Sequence, residues 1–242
     1  MKSDLIAAIP SRQSERARFE AEAPKAFQEM VLGNDFPCVG AKAAFHSSSF
    51  TLRCYPEIAS AAATSQLSPA LLDFAETQRA SASEYATFIA IFEGPRPVDE
   101  TEFERLLWAQ LRALHHEDAR QFDWDSSVRS DPSDPHFSFS FGGQALYVIG
   151  MHSNSSRTAR RFPWPTLIFN PHEQFERLRA DGKWKRMQET IRRRDVELEG
   201  SINPMLSDFG ERSEARQYSG RAVEENWQAP FSAEPGKCPF AH

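Results

Sequence analysis

The sequence predicts an α+β protein, one domain in which a mostly antiparallel sheet of four or five strands carries packed helices. Three observations predict it. Phe137–Phe141, Gly142-Gly143 and Ala145–Met151 read as strand, turn and strand. Short apolar segments at strand spacing, Tyr85–Phe92 and Thr166–Phe169, alternate with longer stretches at helical spacing. No internal repeat or linker divides the 242 residues, so residues 1–35 are expected as an N-terminal helical segment and 201–242 as a tail that wraps the same domain.

The elements follow in order. Phe19, Ala23, Ala26, Phe27, Met30 and Val31 recur at helical spacing over residues 15–32, with Gly33 as a stop. Pro24 sits awkwardly in that interior and could divide it, as the first residue of a second helix. Phe36-Pro37-Cys38 leads into a short helix of small residues, and Phe50–Tyr55 alternates as a strand. Ser68 and Pro69 read as cap and first residue of a helix to about Arg79. Asp99 and Glu102 form a capping box for a helix to about Asp118, with Phe103, Leu106, Leu107, Leu111 and Leu114 as its apolar stripe. The segment 123–136, with two Asp-Pro steps, is loop. Pro171 opens a helix to Asp181, and after Gly182 a second helix covers about 183–199.

Composition excludes several classes. A hydrophobic fraction of 40% with 19 Phe and 5 Trp fits a packed core. A net charge of −6 argues against general nucleic-acid binding. The longest apolar run falls far short of the roughly 18–20 residues of a membrane span, and the N-terminus lacks a convincing signal-peptide pattern. Three widely spaced cysteines make neither a disulfide framework nor a zinc site. The expected setting is the reducing cytoplasm.

Residues 150–174 concentrate chemistry. His152 ends one strand, Arg157, Arg160 and Arg161 follow, and His172 stands where a helix begins. Each histidine reads either as a hydrogen-bonding residue at a strand end or as a metal or haem ligand or general base. Antiparallel strands would set the two imidazoles at opposite edges of the sheet; parallel ones would bring them together. The arginines suit a carboxylate or phosphate, against a solvated helix face, and Ser155-Ser156 ahead of them looks like a helix N-terminus. Cys38, just before a helix, is either a buried inert thiol or one tuned by N–H donors, as a haem-thiolate ligand requires. Arg192-Arg193-Arg194-Asp195 reads as a solvated helix face. Asn203, Glu214, Gln217, Tyr218 and Arg221 could line a polar substrate pocket, and Asp208, Glu211 or Glu214 would suit a cation. No Walker loop, Rossmann fingerprint, HExxH or nucleophile elbow is present.

Four blocks together resemble the YqcI/YcgG family: Phe36-Pro37-Cys38 with its helix; Gly150-Met151-His152 through Ser155-Ser156-Arg157 to Arg160-Arg161-Phe162; Phe169-Asn170-Pro171-His172-Glu173-Gln174-Phe175-Glu176; and Ile191-Arg192 through Asn203-Pro204-Met205 to Ser213–Arg221. The ending Cys238-Pro239-Phe240 also fits, while Ser153 replaces the proline common after the first histidine. The resemblance implies a haem-dependent N-hydroxylase acting on arginine or a related guanidino or amine compound. It implies haem b as cofactor, O2 with an electron donor or peroxide as co-reactant, and specialised metabolism as setting. A homodimer is compatible with it. On this basis Cys38, His152 and His172 are the axial candidates: thiolate chemistry favours Cys38, and a strand end beside arginines favours His152. Arg157, Arg160 and Arg161 would face the propionates, and Glu214 or Glu173 would meet a guanidinium. The rivals are a haem-binding or sensing protein without turnover, and a haem-free anion-binding protein.

Overall fold

Five runs rich in β-branched and aromatic residues become the five strands of one sheet: β1 (Phe50–Tyr55), β2 (Thr87–Phe92), β3 (Phe139–Phe141), β4 (Gln144–Met151) and β5 (Thr166–Pro171). The structure is a computed structural model that describes residues 11–81 and 84–233. The strand order is β1-β2-β5-β4-β3. β1 and β2 run parallel, and every other neighbouring pair is antiparallel. The turn between β3 and β4 places Gly142 at φ 60° and Gly143 at φ 67°, the left-handed pair that a tight hairpin needs.

Strand alternation gives the sheet two faces. Phe88, Phe169 and Val148 lie in cross-strand register on one face, and Ile89, Ile168 and Ile149 on the other. The phenylalanine face is covered by α3 (Ala61–Ser81) and α4 (Glu100–Asp118), which add Leu67, Leu71, Phe103, Leu107 and Trp108 to the core. Gly150 permits that closeness: a Cβ there would sit 2.6 Å from the Phe103 ring. The isoleucine face is covered in part by α1 (Arg12–Leu32) and α2 (Val39–His46), through Phe19, Phe27, Val31 and Phe45. α5 (His172–Ala180) and α6 (Trp184–Glu199) follow β5, and α7 (Ala215–Tyr218) lies in the tail. That tail crosses the phenylalanine side, where Phe231 is buried against Trp108, Trp124 and Phe137.

Three local signals resolve differently from expectation. α1 runs unbroken through Pro24 and begins at Arg12, with Ser11 accepting the Ser14 N–H. The missing hydrogen bond is tolerated because Phe19, Ala23, Phe27 and Val31 on one stripe are buried. α3 begins at Ala61 rather than at Ser68 and carries Pro69 inside. Its N-terminal hydroxyl is that of Ser60, which accepts the Ala63 N–H at 3.1 Å. After Ser155-Ser156 there is only a 3-10 turn, Thr158–Arg160, and so no helix N-terminus of the kind that favours anions. Among the described residues no helix is long and apolar enough to cross a membrane. Cys238 lies outside the described residues.

Candidate functional site

The isoleucine face is left uncovered between α2, α5 and α6, and the gap is a cavity of about 320 Å³. Its floor is Ile89, Ile168 and Ile149. The next cross-strand row toward α5 is polar: Asn170 faces Tyr147 across β5 and β4, and Thr87 begins β2 beside them. α6 presents Trp184, Met187, Gln188, Ile191, Arg192 and Asp195 to the cavity, one stripe at helical spacing.

Cys38 stands at the N-cap of α2, where its Sγ accepts the Ala41 N–H at 3.4 Å. Its side chain lines the cavity, and burial pushes the thiol pKa up, against backbone N–H donors that pull it down. His172 opens α5, with Nε2 3.5 Å from Glu214 Oε1 and its ring against Phe209. Tyr218 donates its hydroxyl to the other Glu214 oxygen at 3.3 Å and accepts the Phe139 N–H at 3.0 Å. Tyr147 donates to Gln217 Oε1 at 2.9 Å, and burial pushes the Tyr147 phenol up to about 12.

The arginines are mostly occupied. Arg157 binds Asp195 at 2.6 Å and the Ser201 carbonyl at 3.1 Å, and Asp195 also accepts the Asn203 N–H. Arg160 donates to the carbonyls of Gly150 and Tyr218. Arg161 donates to the carbonyls of Ser155 and Ser156 and points away from the cavity. Arg221 binds Glu104 at 2.9 Å and Glu224 at 3.2 Å, also outside it. All four of these arginines thus satisfy main-chain carbonyls or carboxylates before any ligand arrives.

His152 lies elsewhere. β4 and β5 are antiparallel, so the two histidines fall at opposite ends of the sheet. His152 is 1% exposed and stacked on Phe103 at 4.3 Å, and neither ring nitrogen has a partner. Burial lowers its pKa to about 4. The fold therefore gathers Cys38, Arg157, Arg160, His172, Asn203, Glu214 and Gln217 around one cavity, and sets His152, Arg161, Tyr218 and Arg221 outside its lining.

Several cavity residues escaped the sequence reading. Tyr147 and Asn170 carry a weak signal, since each is the polar residue that continues its strand's isoleucine face. Thr87 Oγ1 and Gln174 Oε1 are buried without partners and belong to lining residues. Nothing local marks them. Among the described residues, no cluster of three or more His, Cys, Asp or Glu could hold a bare metal ion.

Comparison with known proteins adds the following. The sequence profile of the YqcI/YcgG family matches residues 27–232. A protein of Bacillus subtilis (strain 168), described as uncharacterized protein YqcI, is 27% identical over 216 residues, which cover 86% of this chain and 81% of that protein. No solved structure matches the chain.

Proposed function

The chain belongs to the YqcI/YcgG family, and from that premise and the cavity we propose that it is a haem-dependent N-hydroxylase of a guanidino or amine compound. One observation carries the reading: a cysteine sulfur that accepts a backbone N–H lines a cavity with an apolar floor that also holds a histidine–carboxylate pair. A porphyrin brings four nitrogens of its own, so one protein ligand suffices where a bare ion would need a cluster. The donor set fits: a thiol with N–H···S support, apolar walls and cationic side chains in the lining. The cavity volume stands at the small end of the about 300–1,000 Å³ of small-molecule sites. Of the surrounding walls, α6 is the least committed to the core, with only Asp195 buried.

Cys38 would hold the iron, in preference to His152, whose ring is walled off behind Phe103. When bound, the haem supplies activation of O2 or peroxide. With O2, one oxygen atom enters an N–H bond to give N–OH, and the other leaves as water using two electrons and two protons from a donor. With peroxide, the second oxygen leaves as water and no donor is required. Glu214 would orient the cationic nitrogen by charge-assisted hydrogen bonds. His172, next to Glu214, would hold or move a proton at Nε2. The isoleucine floor would exclude water from the reacting nitrogen.

The test is turnover by hemin-loaded protein with L-arginine, given O2 and a reductant or peroxide. The expected result is a product heavier by one oxygen on nitrogen, with the rate lowered about 100-fold or more in Glu214→Gln. Haem binding without any such product from guanidino or amine compounds would leave a haem-binding or sensing protein instead.

A further inference from the structure

Arg192 stands in a run that reads as a solvated face, yet its neighbours divide. Arg193 points outward, its side chain 69% exposed and 3.8 Å from Glu197. Arg192 is half-buried and turned into the cavity wall, on the same stripe as Gln188 and Asp195. The other charged side chains in the lining already have partners. Arg157 holds Asp195, Arg160 holds two carbonyls, Arg179 holds Glu176, Gln188 donates to Asp208 at 2.6 Å, and Glu214 is shared by Tyr218 and His172. Among the described residues, the Arg192 guanidinium makes no hydrogen bond and no ion pair.

The half-buried Arg192 side chain brings to the cavity wall a guanidinium that meets no counter-charge, and its planar fork is shaped for a carboxylate. We propose that Arg192 is a carboxylate anchor, binding through paired N–H donors the anionic end of a ligand in this cavity. With Glu214 in the same lining, the ligand would be bipolar, its cationic nitrogen at Glu214 and its carboxylate at Arg192. That assignment rests on the reading above for what the ligand is, but not for the anchor itself. Two sources of carboxylate share the chemistry: the substrate and the haem propionates.

The experiment compares two matched pairs on the full chain, L-arginine against agmatine, which lacks only the carboxylate, and hemin against its dimethyl ester. Each is titrated into wild type, Arg192→Gln, Arg192→Lys and the exposed control Arg193→Gln. The amino-acid pair is measured by calorimetry with and without hemin. If the substrate supplies the carboxylate, wild type prefers arginine by about tenfold or more. Arg192→Gln removes the preference, Arg192→Lys keeps part of it and Arg193→Gln keeps all of it. If the haem supplies it, the same pattern appears between hemin and its ester. Either pattern supports the anchor. The proposal is overturned if wild type shows neither preference, or if Arg192→Gln leaves the preference intact. Failure of wild type to bind hemin at all sinks the haem reading separately, and the arginine–agmatine pair measured on the chain alone still decides the role of Arg192.

Discussion

Along β2, β5 and β4, Phe88, Phe169 and Val148 turn toward α3 and α4, while Ile89, Ile168 and Ile149, one residue further on, turn toward the cavity. The two faces share a backbone and nearly the same hydrophobicity, yet they are covered to different extents. On the first, two long helices and the tail close over the side chains, and Phe88, Phe169 and Val148 are fully buried. On the second, Ile168 and Ile149 stay only partly covered, because α6 spans the gap without packing down onto the sheet. Buried polar atoms lack partners on both faces, Trp108 Nε1 on one and Thr87 Oγ1 and Gln174 Oε1 on the other. Thr87 and Gln174 line the cavity on the second face, where a ligand would meet them. The lesson is that one sheet can pack densely on one side and leave a cavity on the other.

The largest test of that division is truncation on the closed face. Phe169→Ala should cost about 3–5 kcal/mol in urea unfolding, by loss of transfer energy and an unfilled cavity. Ile168→Ala, its neighbour on the open face, should cost under about 2 kcal/mol, since it enlarges a space that already exists. Equal costs would erase the distinction.

Next comes the latch that ties α6 to the 3-10 turn. Arg157 and Asp195 have side chains only 13% and 10% exposed, so Arg157→Ala leaves a buried carboxylate unpaired. The expected loss is about 3 kcal/mol. Adding Asp195→Asn to Arg157→Ala should recover part of that loss in a double-mutant cycle.

The most gradual effect is a pH dependence set by two buried groups on the closed side. Burial holds His152 neutral in the fold, with its pKa lowered to about 4, despite the carboxylates of Glu100 and Asp99 and with Arg160 acting in the same sense as burial. Between pH 4 and the ordinary value near 6.5, the unfolded chain therefore binds more protons at this site. Stability from His152 is complete above pH 6.5 and is lost as pH falls toward 4, by up to about 1.4 kcal/mol per pH unit. Asp118 acts in the opposite sense, because burial raises its carboxyl to about 6 while the Gly142 N–H opposes the shift. Its contribution is lost as pH rises from the ordinary carboxyl range toward 6. The stability difference between wild type and His152→Phe, followed by denaturation across pH 4–7, should rise with pH. The difference for Asp118→Asn should fall over pH 4–6.

Much of the scaffold was readable from local chemistry. The Gly142-Gly143 hairpin and the Asp99 cap of α4 are both present, with Glu102 N–H on Asp99 at 2.7 Å, while the Glu102 side chain reaches back to Val98 N–H at 2.7 Å, one residue ahead of the cap. The mixed sheet is mostly antiparallel, as its alternating strands implied. Local signals failed where tertiary packing outweighed them, as at Pro24 and at Ser68-Pro69. The site was readable as a set of residues and not as an arrangement. Arg157 meets Asp195 across 38 positions, Tyr147 meets Gln217 across 70, and no spacing rule reaches that far. Whether Arg192 or Arg193 faces inward depends on how α6 is rolled against α2 and α5, which the charge run alone leaves undetermined.

On the proposed reading, the open face would hold a haem through Cys38. The most direct measurement is the absorption spectrum of the hemin-titrated protein, reduced under CO, for wild type, Cys38→Ser and His152→Ala. The account predicts a Soret band in wild type at the red-shifted position of a thiolate ligand, lost in Cys38→Ser and unchanged in His152→Ala. A wild-type band at the histidine position that survives in Cys38→Ser, or no Soret band after hemin addition, would contradict it.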